Sequence, residues 1–343
     1  MNNVPYNTNK VKQINTDLVK NILKNQEHAT KAYIAQHTGL SVATCGNILK
    51  ELIQTGEVIE MELGESKGGR PPRNYAYNAN YSYIACLYMS NEGEENTLTY
   101  AIANLIGEII EEDALKCEVI DFNMLDSFIG SILEKYSIIK AIGIGVPGVV
   151  NKGKIGVCDI EELIDFPLES QLKAKYDVEF IIENDMNCSV FGMYKNETEN
   201  QPHSMAVMSF QKRNFPGSGM IVDGKIVRGF STFAGEISFL PFGISREEQF
   251  KQLHQEETFL PLVVKSIISL IAILNPEQIA LTGGLCKAKH LSTIIEECKK
   301  MIPNEHMPTI TLIENIRTAY VQGLILLTLE RLTYQLQLVE KKI

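Results

Sequence analysis

Apolar residues recur at helical spacing near the start of the chain. After about residue 80 they give way to alternating and continuous runs. Within residues 15–25, Leu18, Val19, Ile22 and Leu23 mark one face of a helix. Residues 30–37 predict a second, shorter helix, and residues 38–40, with Gly39, a tight turn. In the next helix Cys45, Ile48, Leu49 and Leu52 fall at i, i+3, i+4 and i+7, so one face is apolar. Ser41 stands where its hydroxyl can cap that helix, and Gly56 ends it. Residues 57–63 alternate like a strand, and Gly-Gly-Arg-Pro-Pro follows at 68–72. The pattern predicts a helix-turn-helix followed by a wing. Residues 74–80 read as the end of the wing and a short junction.

Beyond the junction the period changes. Residues 81–90, 97–104 and 107–115 read as three strands joined by short turns, a meander. A helix over 124–136 leads to a buried strand at 141–148, A-I-G-I-G-V-P-G. A strand at 180–183 ends in Asn184-Asp185 and runs straight into a helix at 186–194. A second series repeats this order. It has a strand at 205–210, a strand-turn-strand about Asp223-Gly224, a long apolar helix at 259–274 and a strand at 278–282 before Gly283-Gly284. A strand at 309–312 and a final helix at 318–339 close it. Two α/β units of similar shape are expected, with a ligand crevice between them.

Charge sharpens the division. The chain carries 32 basic and 42 acidic residues, a net charge of −10, which argues against nucleic-acid binding by the whole molecule. Through Asn78, however, nine basic residues face seven acidic ones, so the excess of carboxylates belongs to the remainder. Ala43, Gly46, Asn47 and Lys50 lie on or near the polar side of the third helix, small enough for close approach to a DNA groove. Ser41, Ala43, Thr44, Asn47 and Lys50 are the expected groove-facing set. Lys67, Arg70 and Arg73, on a Gly/Pro-rich arm that cannot form a core, suit a narrow minor groove. A plain helical hairpin with a solvated loop is the bland alternative.

Other chemistry is sparse. The seven cysteines are scattered without a C-x-x-C pair and read as reduced thiols, and the six histidines are dispersed, so no metal site is expected. No apolar run reaches the roughly 18 residues that span a bilayer. The N-terminus lacks a signal-peptide core, and a cytoplasmic location is inferred.

Taken together, the motifs resemble the ROK family, in its repressor form. The markers are G-G-R-P-P at 68–72, G-I-G-V-P-G at 143–148, E-N-D at 183–185, D-G-K-I-V-R-G at 223–229, A-G-E at 234–236 and L-N-P-E-Q-I-A-L-T-G-G at 274–284. The resemblance implies a winged helix-turn-helix domain over 1–78 and an α/β body of two actin/hexokinase-like lobes over 79–343. One lobe would span about 79–187 plus the last helix, 318–343, and the other 188–317. It also implies that Asp185 stands at the position of a kinase's general base. Asn184 and Glu236 would bond sugar hydroxyls, and Gly145, Pro147 and Gly148 would line the pocket.

The departures from the family are as informative. The phosphate loop with its aspartate is replaced by A-C-L-Y-M-S-N-E-G-E, where Glu92, Glu94 and Glu95 would repel a nucleotide. Gln211–Pro216 replaces a second glycine-rich loop. Phe239 stands where a zinc-binding histidine is expected, and the cysteine knuckle is missing. No cofactor and no zinc are therefore expected, and the loop must be held by Phe239, Leu240 and Phe242 or be flexible.

The expected function is a non-enzymatic repressor that binds double-stranded operator DNA as a homodimer or dimer of dimers. A small sugar or sugar phosphate would modulate it. A ligand-independent regulator governed by a protein partner is the alternative, and an ATP-dependent sugar kinase is disfavoured.

Overall fold

A computed structural model of the chain describes residues 8–61, 73–90, 96–197 and 201–334. Lys67, Arg70 and the G-G-R-P-P marker lie outside the described residues, as does the acidic turn with Glu92, Glu94 and Glu95.

The head begins with α1 (Thr8–Lys24), a two-residue strand β1 (Ala29–Thr30) and α2 (Lys31–Thr38). The hydroxyl of Thr30 caps α2 by accepting from the Tyr33 amide at 3.2 Å. Helix α3 (Val42–Thr55) starts at Ser41, whose Oγ accepts from the Thr44 amide at 3.0 Å. It stops at Gly56, held at φ 85°, which a side chain disfavours. The predicted apolar face is the buried one: Cys45, Ile48, Leu49 and Leu52 join Val19, Leu23, Ile34 and Val58 in one core. Strands β2 (Val58–Met61) and β3 (Asn74–Tyr77) form an antiparallel hairpin, and β3 also pairs with β1. Residues 74–77 are therefore not a junction, contrary to expectation. They form the central strand of the head sheet, anchored by the buried ring of Tyr75. The connection to the body shrinks to Asn78 and the short 3-10 turn Ala79–Tyr81.

The body opens with the expected meander, β4 (Tyr83–Ser90), β5 (Asn96–Asn104) and β6 (Ile109–Cys117). Helix α4 (Phe122–Lys135) crosses to β7 (Ile139–Val146), parallel to β4. A hairpin missed in the sequence follows, β8 (Gly148–Asn151) and β9 (Lys154–Cys158), then α5 (Leu168–Lys173), β10 (Glu179–Asn184) and α6 (Asp185–Asn196). The second unit runs β11 (Ser204–Ser209), β12 (Gly217–Val222), β13 (Lys225–Ile226), α7 (Arg246–Leu253), α8 (Glu256–Leu274), β14 (Gln278–Thr282), α9 (Ala288–Lys299), β15 (Thr309–Leu312) and α10 (Arg317–Tyr334).

The two five-stranded sheets share one topology. Read from the meander edge, they run β6-β5-β4-β7-β10 and β13-β12-β11-β14-β15. In each, three antiparallel strands are extended by two parallel ones. Each sheet ends in a closing helix, α6 after β10 and α10 after β15. The two helices exchange partners: α10 lies on β4 and β7, and α6 on β11 and β12. They touch each other where Gly192 faces Gly323. A Cβ on either glycine would collide with backbone atoms of the opposite helix, Ala319 or Cys188.

Helix α8 is the long apolar helix expected at 259–274. At 19 residues and mean hydropathy 1.9 it is long and apolar enough to cross a bilayer. Its Phe259, Leu262, Val263, Ile267, Leu270 and Ile271 instead fill the core of the second unit.

Candidate functional site

Two surfaces carry chemistry. On the head, burial of one side of α3 leaves the other in solvent: Ser41, Ala43, Asn47 and Lys50 are exposed, and Thr44 is half-buried. Gly46 sits beside the Lys31 side chain, whose ammonium lies 5.4 Å from the centre of the Tyr75 ring. Arg73 is paired with Glu60 across the hairpin. So exposed a pair is screened by solvent, and Arg73 is readily transferred to another anion.

The second surface is the end of the first sheet where β7 and β10 finish. Asn184 precedes α6 and caps it: Oδ1 accepts from the Asn187 amide at 2.9 Å, and Nδ2 donates to the Gly148 carbonyl at 3.0 Å. One N–H and one lone pair of that amide are left for a ligand. Asp185 opens the helix, its Oδ1 accepting from the Met186 amide at 2.8 Å. A carboxylate there benefits from the positive end of the helix. Glu183 turns the other way. It receives Nε and Nη2 of Arg228 at 3.1 and 2.6 Å and Nδ2 of Asn187 at 2.9 Å. This ion pair joins β10 of the first unit to the loop after β13 of the second.

The expected pocket-lining glycines divide. Pro147 is buried and its carbonyl accepts from the Asp159 amide at 2.9 Å. Gly148 packs against β9, where a Cβ would meet Val157 and Cys158. Gly145 is buried. A Cβ there would run into the Tyr320 ring of α10, so this glycine serves helix packing. The Tyr320 hydroxyl beneath it is buried with no hydrogen-bond partner among the described residues.

Two residues that sequence reading missed complete the cleft. Asp159 follows the unforeseen β8–β9 hairpin, and Arg246 begins α7. Burial lifts the Asp159 carboxyl to about 6, against the opposing pull of Arg246. Burial and the charge of Asp159 lift Glu236 to about 7, again opposed by Arg246. Glu236 is half-buried while Asp159 and Arg246 are exposed, so the two carboxyls and the guanidinium share one solvent-open space. Asp185 reaches the same region, since its charge acts on Cys158, the neighbour of Asp159.

Arg246 also explains how the loop after Glu236 is held. Its guanidinium lies 3.8 Å from the centre of the Phe215 ring and 4.2 Å from that of Phe239, and Nη1 donates to the Ser238 carbonyl at 3.1 Å. Phe233 packs edge-on against Phe239, and Leu240 and Phe242 pack on the core of the second unit. Such a cation–aromatic stack is worth about 0.5–2 kcal/mol depending on its desolvation. The apolar staple expected from the sequence thus has a cation at its centre. The Lys212 side chain packs over Gly284, and His254 bonds the Lys212 carbonyl. Among the described residues no group of three histidine, cysteine or carboxylate side chains could hold a metal ion.

The raised carboxyls have a thermodynamic consequence. Their folded-state pKa values, about 6 and 7, exceed the ordinary values of 3.8 and 4.5. The folded state then binds protons more tightly, so this stability is present at low pH and is lost as pH rises through the folded values. Urea denaturation at pH 5 and pH 7.5 is expected to show wild type weakening more than Glu236→Gln over that interval. Equal slopes would mean that Glu236 is solvated.

Comparison with known proteins places these features. A ROK family model matches residues 96–250, the stretch from β5 into α7 that holds Asn184, Asp185, Glu236 and Arg246. The xylose repressor of Caldicellulosiruptor bescii is 26% identical over 238 residues, covering 66% of this chain and 58% of that repressor. The chain therefore spans less than two thirds of that relative's length. Among solved structures, a ROK family transcriptional regulator described as a homologue of the Escherichia coli MLC protein superposes with TM-score 0.68 at 16% identity. That match covers 94% of this chain and all of the other. A ROK hexokinase from Thermus thermophilus superposes with TM-score 0.59 at 15% identity, over 73% of this chain and 99% of its own. Likeness at such identities establishes the shared actin/hexokinase-like fold of the body. The chain is therefore similar to ROK family proteins in the segment that contains the cleft, and its body shares their fold.

Proposed function

We propose that this protein is a cytoplasmic transcriptional repressor. Its head, over residues 1–78, binds operator DNA, and the cleft of the body binds a small sugar or sugar phosphate without catalysis. The observation that carries the reading is the exposed Ala43–Asn47–Lys50 row on a rigidly capped α3, in the same chain as a carboxylate-lined ROK cleft. The similarity to a xylose repressor supports it. A non-catalytic cleft is supported by β4, Y-I-A-C-L-Y-M-S, which carries no aspartate. Asp185, Glu236 and the remaining capacity of Asn184 would hold the sugar, with Asp159 and Arg246 beside them. A homodimer is expected, because one small head buries little surface for specific recognition.

The test is an operator titration, after sequencing of the DNA fragments that the full chain selects. Asn47→Ala and Lys50→Ala should each weaken binding by about 1–3 kcal/mol, with a shallower salt dependence for Lys50→Ala. Asp185→Ala should bind operator as wild type does but lose the response to sugar. Unchanged affinity of both head variants would refute the DNA surface. A wild type indifferent to every monosaccharide tested would refute the effector site.

A further inference from the structure

A cavity of about 280 Å³ lies where the head meets the body, away from the cleft. It is at the small end of ligand pockets, which run to roughly 300–1,000 Å³, and has room for one compact molecule. Helix α1 supplies Asp17, Lys20 and Lys24, the hairpin supplies Glu57 and Tyr77, and the body supplies Tyr81, Lys140 and the ends of Leu329 and Leu332.

The charges in this cavity are only partly matched. Lys20 is paired with Glu57. Lys24 has no carboxylate within ion-pair distance among the described residues. Its ammonium stands 5.0 Å from the centre of the Tyr77 ring, and burial depresses its pKa. Lys140 faces the same space from the body and is exposed. Asp17, whose carboxyl is raised by burial, likewise has no ion pair among the described residues. With Lys20 and Glu57 cancelling, two ammoniums face one carboxyl across a space walled by two tyrosine rings. Half-buried ions left in this way favour a ligand that brings an anion and hydroxyl donors together. Tyrosine faces suit the C–H surface of such a molecule.

We propose that this cavity is a second effector site, for a small hydroxylated phosphate monoester. The phosphate would lie between Lys24 and Lys140, and a hydroxyl would donate to Asp17. Its position gives it a means of control. Lys24 belongs to the head and Lys140 to the body, so a bridging anion fixes the angle between them. A ligand that fits only one angle shifts the population of head orientations by its differential affinity.

The experiment is calorimetric titration of the full chain with glucose 6-phosphate, glucose and inorganic phosphate, on wild type, Lys140→Gln, Lys24→Gln and Asp185→Ala. Glucose 6-phosphate is expected to bind at least tenfold more tightly than glucose or inorganic phosphate. Lys140→Gln, an exposed substitution that should leave folding intact, is expected to lose tenfold or more, whereas Asp185→Ala should retain the Lys140-dependent binding of glucose 6-phosphate even where it loses binding in the cleft. Lys140→Arg should bind as wild type does. Absence of binding, or full affinity in Lys140→Gln, would overturn the site. Loss in Asp185→Ala alone would put the ligand in the cleft, overturning this proposal while supporting the effector cleft. Equal binding of inorganic phosphate would overturn the hydroxylated class.

Discussion

Gly192→Val is expected to be among the most damaging single substitutions in the body. Helices α6 and α10 approach so closely at Gly192 and Gly323 that even a Cβ would overlap the Ala319 carbonyl and the Gly323 amide. These are backbone atoms, which cannot rotate aside as a side chain would. The helices must separate, and each is seated on the opposite unit's sheet. Separation would open the cores that contain Cys188, Tyr320 and Leu324 on one side and Val190 and Val207 on the other. Overpacking typically costs about 1–3 kcal/mol, and a valine against backbone at this seam should reach or exceed the upper end. Melting and urea titration would measure it, with Gly192→Ala as a milder member of the series. An unchanged melting temperature for the valine variant would show that the seam has slack. Since α10 ends at the junction cavity, a partly folded variant should also show altered exchange of α1 amides.

Arg228→Ala is the second. Its guanidinium holds a single oxygen of Glu183, whose side chain is 12% exposed while that of Arg228 is 40% exposed. Removing the cation leaves a carboxylate that is mostly desolvated and still engaged with the Asn184 and Asn187 nitrogens. Breaking a buried ion pair by deleting one partner costs roughly 3–5 kcal/mol, and the exposure of Arg228 puts this case at the low end. The double variant Arg228→Ala/Glu183→Gln separates the causes. The amide oxygen of glutamine can keep both hydrogen bonds without a charge, so much of the loss should return. If the double variant is no more stable than Arg228→Ala, the guanidinium acts through packing alone. The pair also ties β10 to the loop after β13, so loosened lobes should expose the cleft to faster hydrogen exchange.

Much of this molecule is legible in the sequence because the signals are local. Ser41, Gly56 and the spacing of Cys45, Ile48, Leu49 and Leu52 delimit α3 through capping, a left-handed turn and an amphipathic period, each settled within a few residues. The same holds for the meander at β4–β6 and for Asn184-Asp185 at the start of α6. Short elements escape such reasoning. The β8–β9 hairpin has strands of only four and five residues, too few for alternation to stand out, and with it Asp159 goes unseen. Strand β3 is hidden in the same way, because N-Y-A-Y reads as a linker until Tyr75 has a core to enter.

What the sequence by itself determined is the identity of the parts: a helical head followed by a strand, two α/β units in series, and Asp185 at the head of a helix. Only the tertiary structure decided how those parts share residues. It gave Glu183 to an ion pair between the units and Gly145 to the packing of α10. It brought Arg246, from the start of α7, between the rings of Phe215 and Phe239, and so beside Asp159 and Glu236. It also set Lys24 across a cavity from Lys140. The physical reason is range. Capping and periodicity act over three to seven residues, whereas burial, ion pairing and pKa shifts depend on groups that are distant in the chain and become neighbours only when the sheets and helices close on one another.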